Sequence, residues 1–312
     1  MDSTIQPPPT GLFERWRASP QWQMFLASPM AVISVCWLLF IVIVALVGPG
    51  LFGEDANHQK LALRFLEPFQ FDRGFAFILG ADSLGRPILL QLVIGAQTSV
   101  TIAFFAVGIS AVLGYAIGLI SGYFGGWVDQ ILLRIADIMH TIPSLLLALV
   151  VLFVLRPSIL NLIIVLGITR IPVYLRTARA QTLEVRERTF VEFARAAGAT
   201  HWRIMTRDIA PMVFPTIRTL AMVEVASVIL AAASLTFLGI GLQRPDVDWG
   251  MMVADGRAYL KSAWFVTVFP GVVIVLTALA ANIFSNWLRA VEDPTQNVLF
   301  LRKPRAAKQE KT

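Results

Sequence analysis

A single cysteine, Cys36, stands among 312 residues, which excludes an intrachain disulfide framework and a thiolate metal cluster built by this chain alone. Histidine is nearly as scarce. His58, His140 and His201 lie far apart and form no His-x-x-x-His pair, so a metal site is not expected. No G-x-x-x-x-G-K-[ST] loop occurs, leaving no phosphate cradle with which the chain itself would hydrolyse ATP. Charge is the broadest shortage. Asp, Glu, Lys and Arg make up 15% of the chain against 56% hydrophobic residues, with a mean hydropathy of +0.70, more apolar side chain than one soluble core needs.

What is present is a series of apolar runs close to the roughly 20 residues that a helix needs to cross about 30 Å of hydrocarbon. The runs are continuous and do not alternate, so helices and not a barrel are indicated. The predicted fold class is an all-α membrane protein with six transmembrane helices, at 29–47, 99–120, 131–155, 158–175, 215–241 and 266–288. The first run is longer than the apolar stretch of a secretory signal, and no small-x-small cleavage site follows Gly48-Pro49-Gly50. It is read as an uncleaved anchor.

Arginine and lysine set the expected orientation. Arg15 and Arg17 precede span one, seven arginines from Arg176 to Arg207 follow span four, and Arg289, Arg302, Lys303, Arg305, Lys308 and Lys311 follow span six. With six spans these segments share one side, so both termini are expected in the cytoplasm. The net charge of +6 is concentrated beside the membrane, where headgroups and topology account for it; the bilayer, not nucleic acid, is the expected partner. Residues 1–28 combine Pro7-Pro8-Pro9 with Leu12, Phe13, Trp16, Trp22 and Phe25, which fits an interfacial helix or a tail with aromatics in the headgroup belt. The turn-rich 291–312 tail is expected to be disordered.

Between the first two spans, 51–97 is too long for a tight turn and is expected to form an ordered cap. There Asp82 is placed to cap the turn Ser83-Leu84-Gly85 ahead of a helix starting near Pro87. Gly114, Gly118 and Gly122 recur every four residues and line one helix face, a packing seam for this subunit or for a partner. Charges inside the spans are few. Arg134 and Asp137, three apart, are expected to pair; Arg170 is expected to snorkel, with Pro172 kinking its helix. Glu224 lies well inside span five, where an exposed carboxylate costs ~2.5 kcal/mol or more. It is expected to face a translocation cavity or subunit seam, the alternative being a neutral, buried, hydrogen-bonded carboxyl.

The most informative segment is 189–211, TFVEFARAAGATHWRIMTRDIAP, polar and arginine-rich between membrane spans. Thr189 and Glu192 have capping-box spacing. Gly198 suits a left-handed helix end, Thr200 can cap a second short helix, and Pro211 closes it. The expected product is two short helices whose faces mix Phe193, Trp202, Ile204 and Met205 with arginines, the composition of a docking surface.

Glu192-Phe193-Ala194, Gly198 and Ile209-Ala210-Pro211 resemble the EAA loop of membrane permeases in bacterial ABC importers. LGADSLGR at 79–86, GYFGGWVD at 122–129, IPSLLLAL at 142–149, SLTFLGIGLQRP at 234–245 and Trp249-Gly250 extend the resemblance to the shorter permease type of the dipeptide, oligopeptide and nickel uptake family, over about residues 29–294. The resemblance implies a multi-pass permease of the bacterial inner membrane, not an enzyme. It implies a cytoplasmic tail at 1–28, a first span and external segment at 29–98, a five-helix transport core at 99–290 with its coupling loop at 176–214, and a cytoplasmic tail at 291–312. Glu192, Phe193, Ala194, Arg195, Gly198, Trp202, Ile209 and Pro211 become the ATPase-coupling residues, and Glu224 the candidate for the translocation path. No cofactor is expected on this chain; ATP and Mg would belong to two ABC ATPase subunits, alongside a second homologous permease and an extracytoplasmic substrate-binding protein. Two departures stand out. Phe193 and Ala210 replace the family's usual alanine and leucine, and Ala232 stands where an acidic residue often precedes the A-x-L-x-F-L-G run. Glu224, about two turns earlier, is a possible substitute for that carboxylate. Di- or oligopeptide is the leading substrate, with nickel, glutathione or another small solute as alternatives. A secondary transporter or channel, or a non-transport membrane anchor, is the reading from a different class.

Overall fold

The computed structural model describes residues 20–292. Among them the only extended pairing is a bridge between Ala81 and Pro87; all else is helix, turn and loop. A short helix α1 (Pro20–Leu26) leads into α2 (Pro29–Asn57), whose Pro29 occupies the first turn, where a missing N–H costs nothing. The cap over 58–87 follows, then α3 (Ile88–Phe124), α4 (Gly126–Thr141), α5 (Ser144–Val154), α6 (Ile159–Arg186), α7 (Thr189–Ala196), α8 (His201–Phe237), α9 (Trp249–Gly256) and α10 (Phe265–Glu292). Five of these, α2, α3, α6, α8 and α10, are long and apolar enough to cross a membrane, and α4 with α5 makes a sixth if the bent pair is one span.

The third expected span, 131–155, is therefore not a straight helix. α4 and α5 meet at 82°, because Pro143 lacks a donor and pushes Ile142 into extended backbone, ψ 130°. The other spans form, and most run further than their apolar stretches because the long helices continue into the cap and the loop; the fifth starts earlier, at His201, and ends at Phe237, short of the expected 241.

The glycine seam lies within this chain, between α3 and α6. A Cβ on Gly118 would stand 2.6 Å from both the Ala178 Cβ and the Leu175 carbonyl; one on Gly122 would stand 2.7 Å from the Thr182 Cβ. Only glycine permits this approach. The same two helices are tied by Arg179, which pairs with Asp129 of α4 while Asp129 also accepts from Ser121 of α3.

In the cap, Asp82 Oδ1 accepts from the backbone N–H groups of Leu84 (2.8 Å) and Arg86 (2.9 Å), and Oδ2 pairs with the buried Arg86 guanidinium. Gly85 takes φ +74°. The expected capped turn forms, and α3 starts immediately after Pro87. Across the cap, Trp249 is 1% exposed and its indole donates to the Leu92 carbonyl (3.1 Å). Asp248 caps α9 by accepting from Met251 N–H at 2.7 Å. Its burial, only partly offset by bonds from Met251 and Thr236, raises its carboxyl to about 6. Of the tail expectations, α1 covers the end of the N-terminal segment; residues 1–19 and the 293–312 tail lie outside the described residues.

Candidate coupling loop and the ion pair between its supporting helices

The loop hangs from two long helices, α6 entering and α8 leaving. α7 ends in a hydrogen-bond pattern that explains its glycine: Gly198 N–H donates to the Arg195 carbonyl (2.9 Å) and Ala199 N–H to the Ala194 carbonyl (3.0 Å), with Gly198 at φ +79°. This is a Schellman closure, which needs a left-handed residue at that point. Thr200 then caps α8, accepting from Arg203 N–H at 3.4 Å. The start of α7 differs from expectation. Arg188 is its N-cap, Thr189 lies one residue inside, and no side-chain cap bond forms, so the Thr189–Glu192 capping box is absent and the Glu192 carboxylate stays free of that duty.

Pro211 does not end the second helix. Six residues, Ile204–Ile209, wind as a π turn and run straight into the rest of α8. The wider turn relieves the clash between the Pro211 ring and the carbonyl four residues back, and Pro211 has no N–H to lose from the ladder. Ile204 and Met205, expected on the docking face, are instead buried, together with Val191, Ile209 and Val213, against Leu119, Tyr123, Tyr174 and Ala178. Each such burial contributes about 1.5–3 kcal/mol. Facing outward are Glu192, Phe193 (71% exposed), Arg195, Gly198, Trp202 (69% exposed) and Pro211; Ala194 is half-buried and Ile209 fully buried. The loop is thus held by one apolar face and presents another.

The end of α3 reinforces it. Arg186 donates to the Gly122 and Tyr123 carbonyls (3.1 and 3.0 Å), the Tyr123 hydroxyl lies 2.8 Å from His201 Nδ1, and the Arg195 guanidinium sits 5.9 Å from the Tyr123 ring centre. These residues, with Phe124, Glu187 and Glu192, enclose a recess of about 380 Å³. On the other arm the Tyr115 hydroxyl donates to the Ala210 carbonyl (2.6 Å).

Glu224 is 7% exposed and its Oε2 lies 3.5 Å from Arg170 Nη1 across α6 and α8. Arg170 therefore does not snorkel; it turns inward to Glu224. Likewise Asp137 pairs with Arg176 of α6 at 2.7 Å, and Arg134 carries no ion pair among the described residues. Sequence reading found each of these charges but not their partners. The one available signal was that two lone, opposite charges inside spans have few other ways to be neutralised.

Residues 114–297 match the model of the family described as binding-protein-dependent transport system inner membrane component. The chain belongs to this family. Residues 16–68 also match the N-terminal transmembrane domain of oligopeptide transport permease C. The chain is 36% identical to a probable D,D-dipeptide transport system permease of Escherichia coli K12, covering 87% of this chain and 89% of that one. It is 35% identical to a di/tripeptide transport system permease of Pseudomonas aeruginosa (88% and 90% covered) and 33% identical to a glutathione transport system permease of Pectobacterium atrosepticum (88% and 89%). It is accordingly a transport permease of the ABC importer type and a multi-pass inner-membrane protein. The part of this permease that matches the family model contains the loop, both of its arms and the glycine seam.

Proposed function

We propose that this chain is one permease subunit of an ATP-driven importer that carries di- and oligopeptides from an external binding protein into the cytoplasm. In this reading the loop end of the bundle and both termini face the cytoplasm. Two ABC ATPases, holding ATP and Mg, dock on the outward face of α7 and the start of α8, and a second homologous permease completes the pathway. The four-part division at residues 28, 98 and 290 describes tail, anchor with cap, transport core and tail.

The observation that carries the reading is the two-faced loop. Val191, Ile204 and Ile209 fix it to the bundle, while Phe193 and Trp202 stand out beside Glu192 and Arg195. Large aromatics held rigid among charges are how a protein presents anchor residues to a partner. A rigid loop also transmits displacement, because it cannot absorb it. Glu224 is enclosed in this conformation, so it reaches the translocation path when α6 and α8 part during alternating access.

Peptide is favoured as substrate because relatives at 33–36% identity are named for D,D-dipeptide, di/tripeptide and glutathione transport. Glutathione, itself a tripeptide, is the second reading and rests on the relatives named for it. Competition for ATP-dependent uptake of a labelled dipeptide into vesicles carrying the full complex separates them. Strong competition by dipeptides and weak competition by glutathione is expected; the reverse ranking supports glutathione, and uptake indifferent to both overturns the peptide reading.

A further inference from the structure

We infer that Arg170 is a positioning residue for coupling, and that its ion pair with Glu224 is the tie through which movement of the loop separates α6 from α8. The inference rests on the importer reading and extends it to residues outside the loop.

Three observations lead there. First, the pair joins the two arms of the loop and no other helices. α6 runs from Arg170 to Arg186, about 24 Å, with Pro172 close to its Arg170 end, and α8 runs from His201 to Glu224 through the π turn at Ile204–Ile209. Displacement of α7 therefore reaches the pair along the two helices that carry it.

Second, the pair is enclosed but not saturated. The two side chains are 20% and 9% exposed, yet Arg170 Nε and Glu224 Oε2 are buried without a hydrogen-bond partner. The separation of 3.5 Å exceeds the 2.7 Å of the Asp137–Arg176 pair on the same helix. Unmet hydrogen-bonding capacity in a desolvated ion pair gives little net stability, so the fold alone does not account for retaining it. Removing one charge, by contrast, strands the other inside the span.

Third, α6 is weakened at this point. Pro172, buried two residues beyond Arg170, deletes one rung of the helix ladder and frees a place to bend.

On this inference, water enters when the helices part and hydrates both side chains at once. The tied and parted states then differ little in electrostatic cost, and a push from the loop is enough to choose between them.

The test uses the complete transporter in lipid vesicles with its binding protein, comparing wild type with Arg170→Glu, Glu224→Arg and the double exchange. The readout is ATP hydrolysed per substrate transported. Each single variant is expected to raise that ratio at least threefold, and the double exchange to recover at least half of the lost coupling. Single variants that lower thermal stability but keep the wild-type ratio would make the pair structural and overturn the inference. A second measurement leaves the pair intact: spin labels at the exposed positions Ile164 on α6 and Leu230 on α8, in a Cys36→Ser background, are expected to move apart on ATP binding. An unchanged distance overturns the inference even if the charge variants fail to fold. Absence of ATP-dependent uptake by the wild-type complex overturns the importer reading and this inference with it.

Discussion

Single residues carry two separable kinds of claim, stability and docking. Asp248 belongs to the first. Its carboxyl, raised from 3.8 to about 6 by burial, favours the folded state when protonated, by roughly 3 kcal/mol at full effect. That contribution is complete below pH 3.8 and is lost as pH rises through about 6. Thermal stability in detergent is therefore expected to fall between about pH 4 and 6 and to level off above, and Asp248→Asn, which keeps a cap acceptor without the charge, to flatten that slope; an identical slope in the variant contradicts the assignment. Phe193 and Trp202 belong to the second kind. Both are exposed, so alanine at both positions should change the melting temperature of the isolated chain little, within about 0.5 kcal/mol per site, while lowering uptake by the assembled transporter at least tenfold. Equal loss of both properties would make them core residues. At this scale the sequence was legible where chemistry is local: the Asp82 turn, the left-handed Gly198 and the Thr200 cap all form within a few residues. Arg170 with Glu224, Asp137 with Arg176 and Tyr123 with His201 meet across helices, and no spacing rule reaches that far.

At the scale of elements, apolar length located the spans but not their ends or breaks. α3 extends eleven residues ahead of its expected start at 99, where Gln91 is buried and donates to the Ala56 carbonyl at the end of α2. The α4–α5 bend followed from Ile142-Pro143, a breaker hidden inside an apolar run. Pro211 misled in the opposite direction, since a π turn carries the helix through it. The glycine seam was legible as a seam, while its partner helix, α6, required the packing. Gly118→Leu tests it. With the Ala178 Cβ and Leu175 carbonyl 2.6 Å from any Cβ there, overpacking should destabilise by about 1–3 kcal/mol or more, seen as a lower melting temperature and poor membrane accumulation. A variant as stable as wild type would place the seam elsewhere.

For the whole molecule, the arrangement is a bundle of long helices with an ordered cap at one end and a rigid loop at the other, the loop mounted on two helices that also share the intramembrane ion pair. Composition and length established the class, and motif combinations established the family; the mechanics came from seeing that the loop is fixed on one face and bare on the other. The central claim is that this bare face holds the ATPases. It is tested most directly by copurifying the tagged chain in mild detergent as wild type and as Gly198→Asp. A Cβ at Gly198 meets no heavy atom within 4 Å; the φ of +79° strains any side chain there, but aspartate tolerates the left-handed backbone better than most residues, so the variant is expected to fold with some loss of stability, read from its melting temperature, while placing a carboxylate on the docking face. The wild type is expected to bring down a second permease and two ATPase subunits, and the variant to keep the permease and lose the ATPases. ATPases retained by the folded variant, or absent from the wild type, would contradict the account.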